Sequence, residues 1–85
     1  MNPEPITTST GSTLAIESDG LDRIITIRHP DAPEGLRVLE MGRVASFDGG
    51  PLGFQPALAL GFTGAIFGAE ALRAVAALLD AENAR

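Results

Sequence analysis

Hydrophobic and polar residues alternate with period two over residues 12–18 (STLAIES), where Leu14 and Ile16 stand between small or polar neighbours. That alternation predicts a half-buried strand. Residues 23–28 (RIITIR) are rich in β-branched side chains and read as the returning strand, with Asp19-Gly20 as the turn signal between the two runs. A two-residue loop there would set Leu14 against Ile25 and Ile16 against Arg23. A three-residue loop would set Ile16 against Ile24 and Glu17 against Arg23. The second register joins opposite charges and like apolar groups, and is the one expected.

Residues 29–35 (HPDAPEG) form a breaker cluster around Pro30 and Pro33. Residues 36–47 (LRVLEMGRVASF) fit two patterns. As a helix, they would follow a capping-box-like Asp31-x-x-Glu34 with Pro33 in the first turn, but Gly35 and Gly42 weigh against a long helix. As a strand, Leu39 and Met41 share a face, and a bulge at Gly42 brings Val44 onto it. The strand is the reading chosen. Residues 48–56 (DGGPLGFQP) read as a Gly/Pro loop. In residues 57–62 (ALALGF), Leu58, Leu60 and Phe62 alternate with Ala57, Ala59 and Gly61, which predicts a further strand.

Residues 69–83 (AEALRAVAALLDAEN) form the clearest helix, dominated by alanine and leucine. Leu72, Val75, Ala76 and Leu79 make one apolar stripe, widened by Leu78. Gly68 serves as N-cap and Phe67 packs on Leu72 as a hydrophobic staple. The fold class expected is α+β: an antiparallel sheet of three to four strands, β-hairpin first, covered by one C-terminal amphipathic helix. Residues 1–11, rich in Pro, Ser and Thr, read as a flexible N-terminal tail, and 12–85 as a single small domain.

Eleven acidic residues against six basic ones give a net charge of -5, and all six cations are arginines. Such a surface repels phosphate backbones. Residues 49–69 carry no formal charge, and Gly64 and Gly68 have the spacing of helix pairs in lipid. Two prolines, Gln55 and six glycines in that stretch argue against a membrane helix. Residues 1–11 lack a basic or apolar leader pattern, which points to the cytoplasm.

Candidate chemistry is sparse. His29, followed by Asp31 and Glu34, is the lone histidine, and no serine stands in a Gly-x-Ser-x-Gly elbow. One His and no Cys leave only carboxylates for a metal, and Glu17, Asp19 and Asp22 read as a solvated turn. Gly61, Gly64 and Gly68 lack both the dinucleotide fingerprint and a Gly-Lys-Ser/Thr ending, and read as close packing. No catalytic residue, metal or cofactor is therefore expected. Leu52 and Phe54 on the Gly/Pro loop, with Arg43, are the candidate protein-contact residues; Phe54 could equally plug a small core.

Small size, acidity and a mean hydropathy of +0.19 point to a cytoplasmic protein–protein interaction module acting by surface occupation of a partner. Small acidic chains of this type occur among accessory and inhibitor proteins of phages and mobile elements. Apolar surplus and open strand edges point to a homodimer. The alternative is single-stranded nucleic-acid binding on the sheet face through Arg23, Arg28, Arg37 and Arg43. The element order resembles that of transcriptional coactivators of the positive-cofactor-4 type, whose mode of binding implies exposed basic and aromatic residues on one face.

Overall fold

The computed structural model describes residues 2–35, 37–46, 48–58 and 66–85. Five strands form one sheet: β1 (Ile6–Thr7), β2 (Thr13–Asp19), β3 (Asp22–Arg28), β4 (Val38–Ser46) and β5 (Leu52–Pro56). They pair in chain order, and every pairing is antiparallel. One helix among the described residues, α1 (Ala69–Asn83), follows the sheet. It contacts both β2 and β5, so the sheet curls until its second and fifth strands reach the same helix.

Two of the five strands lie where the sequence pattern predicts none. β1 falls within residues 1–11, and its pairing of Ile6 with Leu14 converts that segment into the sheet's first edge. Two residues are too short to show a period. β5 falls within the Gly/Pro loop, where Gly53 and Pro56 mask the alternation of Leu52 and Phe54. Conversely, Ala57 and Leu58 lie outside any strand, and 59–62 of the expected ALALGF strand lie outside the described residues.

The β2–β3 register also differs from both alternatives considered. Asp19 pairs with Asp22, Ile16 with Ile25 and Leu14 with Ile27. The loop is Gly20–Leu21, with Gly20 at φ 63° and Leu21 not in the left-handed region. This is the type II′ arrangement, whose first central position requires positive φ and so takes glycine. Glycine thus opens the turn rather than closing it. Glu17 bonds Arg28, not Arg23: Arg28 Nη2 donates to Glu17 Oε1 at 2.8 Å across the Ala15–Thr26 pair. Beneath that bridge Thr26 is 3% exposed, with no hydrogen-bond partner for its hydroxyl.

Residues 36–47 do contain a strand, β4, with an irregularity in its pairing to β3. Ile25 faces Gly42 and Thr26 faces Glu40, so Met41 has no cross-strand partner. The bulge sends Met41 into the core and keeps Val44 on the inner face beside Phe54. Gly42 is required there: a Cβ would lie 2.7 Å from Phe54 Cε1 and would overlap the Gln55 carbonyl oxygen. The Phe54 ring thus lies where a side chain at 42 would project.

The inner face supplies Leu14, Ile16, Ile25 and Met41 to the core, and α1 supplies Ala71, Ala74, Val75 and Leu78. The helix is rotated relative to the stripe expected. Leu72 is 56% exposed, Ala76 is exposed and Leu79 half-buried, while Phe67 packs against the core. Ala71 and Ala74 let the helix backbone approach the sheet closely, which a leucine in their place would prevent. Replacing Leu78 with alanine is expected to cost about 2–5 kcal/mol, whereas Leu72→Ala should stay within about 0.5 kcal/mol. Urea denaturation of the two variants checks the rotation. Equal losses would contradict it.

Candidate functional site

The sheet's outer face carries Glu17, Asp22, Arg28, Glu40, Arg43 and Gln55. Arg43 Nε donates to Gln55 Oε1 at 2.7 Å, and its Nη1 stands 3.9 Å from Asp22. The inner face takes Leu52 and Phe54, both half-buried. The three candidate protein-contact residues therefore do not form one patch. Phe54 packs against the core, and Arg43 projects from the opposite side of the sheet.

The four arginines of the nucleic-acid alternative are also dispersed. Arg28 and Arg43 are on the outer face, each beside a carboxylate. Arg37 lies in the loop before β4, where its Nε donates to the Ala32 carbonyl at 3.1 Å. Arg23 shares the inner face with Ile25 and reaches the end of α1, pairing with Glu82. Burial, then the nearby Arg85 charge, lowers the Arg23 pKa from its ordinary value. The described phenylalanines, Phe54 and Phe67, pack on the core rather than standing on the outer face.

His29 works as a clasp between two loops. Its Nδ1 accepts the Asp31 N–H at 3.2 Å, which leaves Nε2–H to donate to the Thr10 carbonyl at 3.0 Å. Both ring nitrogens are thus engaged by main chain. The adjoining hollow of about 260 Å³ is lined by Ser12, Ile27, Leu39 and Phe67 among others, and by no carboxylate. Among the described residues no three potential metal ligands gather, and no helix is long and apolar enough to cross a membrane. Gly68 is the helix N-cap, as its position before residue 69 suggested, while Gly61 and Gly64 lie outside the described residues.

What the sequence reading passed over is the tip of the β2–β3 hairpin. Leu21 is completely exposed there, between the exposed Asp19 and Asp22. The signal was present as Asp-Gly-Leu-Asp: a leucine in a turn position that ordinarily takes a polar residue. Leu58 and Ile66 are comparably exposed but border residues 59–65, which lie outside the described residues.

Behind the tip the two sheet edges are finished differently. On β5, Leu52 N–H donates to Asn83 Oδ1 at 2.8 Å and Asn83 Nδ2 donates to Leu52 O at 3.0 Å. The side-chain amide thus imitates a further strand, and Pro56 offers no N–H. On β2, β1 pairs only as far as Leu14.

At the other end of α1, the Glu70 carboxylate accepts the Ser9 N–H at 2.5 Å and the Ser9 hydroxyl at 2.7 Å. These two bonds hold its pKa below the ordinary value of 4.5. A carboxylate lowered on folding adds stability that is complete above its ordinary value and disappears as pH falls through the lowered one. Glu70→Gln should therefore reduce stability at pH 7 and flatten the acid limb of a thermal-melting profile between pH 7 and 3. An unchanged acid limb would mean that the Ser9 contact adds nothing in solution. Comparison of the chain with protein-family models, curated proteins and solved structures finds no match in any of the three.

Proposed function

We propose that the chain is a small acidic protein-binding module that occupies a partner's surface with the tip of its β2–β3 hairpin. One observation carries this reading: Leu21 stands bare between Asp19 and Asp22 on a turn that a polar residue would serve as well. Singly exposed apolar residues are ordinary. A leucine held at the end of two paired seven-residue strands is different, because the hairpin fixes its main chain before any partner arrives. Little loop entropy then remains to be lost on docking. The flanking carboxylates suit an apolar pocket with a basic rim, and rim charges of this kind raise association rates.

Surface occupation of this sort fits an accessory or inhibitory role. Dispersal of Arg23, Arg28, Arg37 and Arg43 over both faces and a loop favours a protein partner over single-stranded nucleic acid. The clamp of Asn83 on β5 favours a different polypeptide over a homodimer built through that edge.

Burying a leucine is worth about 1.5–3 kcal/mol, so its loss should weaken binding roughly ten- to hundredfold. Leu21→Asp is accordingly expected to abolish capture of the partner from host extract while leaving the melting temperature nearly unchanged. A photo-crosslinker at position 21 should label the same partner. Undiminished capture by Leu21→Asp would remove the tip from consideration. Binding to a labelled single-stranded oligonucleotide at physiological salt, with a steep salt slope, would transfer the assignment to the alternative.

A further inference from the structure

We propose that the outward edge of β2, from Ile16 to Asp19, is a strand-addition site for an extended basic segment of a partner protein. This rests on the protein-binding reading above and specifies where and how the partner docks. Hydrogen-bond parity fixes which main-chain groups of β2 face outward. Thr8 N–H donates to Ser12 O at 2.7 Å, so Ser12, Leu14, Ile16 and Ser18 turn their main-chain groups toward the β1 side. β1 satisfies Leu14 and stops. Among the described residues, no partner is found for the N–H or C=O of Ile16 or Ser18 on that side. Ile16 is nevertheless only 2% exposed. Buried main-chain groups without partners are rare, and an added strand would satisfy them.

Residues 2–5 precede β1 in no strand, and no main-chain bond joins them to β2. The segment is tied instead by the Asn2 side-chain oxygen, which accepts from Arg23. Arg23 is the cross-strand partner of Ser18, so the tie lies level with the open edge. Residues 2–5 thus act as a strap that shields the edge without pairing to it, and a competing strand displaces them without breaking a ladder.

Charge selects the occupant. Outward from β2 on the sheet's outer face stand Asp19 and Glu17, the latter sharing its carboxylate with Arg28, with Asp22 across the turn. Two copies brought together antiparallel along this edge would oppose these like charges, which is destabilising. A partner strand with arginine or lysine facing Glu17 and Asp19, and small apolar residues facing Ile16 and Ser18, is complementary at each position. Such a strand runs directly to Leu21, so edge and tip form one continuous contact.

The test uses the full chain and a synthetic blocked peptide of sequence RVRVR, followed by amide chemical shifts. Shifts are expected at Ile16, Ser18, Asn2, Glu4 and Ile6, with no binding by the EVEVE counterpart. Ser18→Pro removes one outward N–H and should weaken RVRVR roughly two- to tenfold, by the usual value of one hydrogen bond. Asp19→Lys, at an exposed position beside the turn, gives a second route: it should weaken RVRVR and create affinity for EVEVE. Asn2→Ala should tighten RVRVR by releasing the strap. Shifts centred on β5, equal binding by both peptides, or wild-type affinity in folded Ser18→Pro and Asp19→Lys would each overturn the proposal. Failure of RVRVR with Leu21-dependent capture intact would reject the edge alone. Capture insensitive to Leu21 would reject the module reading instead.

Discussion

The buried carboxylate of Glu82 sets the geometry on which the rest of the molecule depends. Its side chain is 6% exposed, on a helix that otherwise turns alanines, Val75 and Leu78 inward. A carboxylate in that position demands charged partners, and it has two. Arg23 reaches it from the inner face of β3, and Arg85 Nη1 lies 3.1 Å from both of its oxygens. Turning this carboxylate inward without its arginines would leave a buried charge uncompensated, so helix rotations that strand it are disfavoured. With Glu82 turned inward, Ala71, Ala74, Val75 and Leu78 follow at helical spacing. Leu72 is carried outward, although it looks like a core residue by composition. Asn83, one residue along, is delivered to the main chain of Leu52.

The same constraint links fold to proposed function. A helix anchored at Arg23 and Leu52 closes the concave face and finishes the β5 edge. Glu70 and Ser9 tie its other end to the loop after β1. What this arrangement leaves unfinished is the far side of β2 and the turn it leads into. Core, helix and clamp lie on one side of the hairpin, and the open main chain and the bare leucine on the other.

The hairpin was legible in the sequence because alternation over 12–18 and β-branching over 23–28 are local properties. The β4 strand and its bulge were legible for the same reason, as was the helix. Register was not. Reading Asp19-Gly20 as the loop placed glycine second, whereas the observed turn needs it first, and a shift of this kind reassigns every cross-strand pair. The expected Glu17–Arg23 pair gave way to a diagonal bond between Glu17 and Arg28, because the observed register sets Glu17 on the outer face and Arg23 on the inner face, toward Glu82. Phe54 and Leu52, chosen as contact residues for their place in a Gly/Pro loop, belong to β5. The space over Gly42 that Phe54 occupies is created by a residue twelve positions away.

Residue order alone determined the hairpin and the helix, the antiparallel α+β class, the excess of acid and the sparseness of catalytic groups. These follow from periodicity and side-chain chemistry, which need no neighbours. Only the tertiary structure decided which helix face is buried, which arginines are already paired, and which edge is sealed. Each of those depends on a contact between residues distant in sequence, Arg23 with Glu82 or Leu52 with Asn83, and no local pattern encodes the energy of bringing them together.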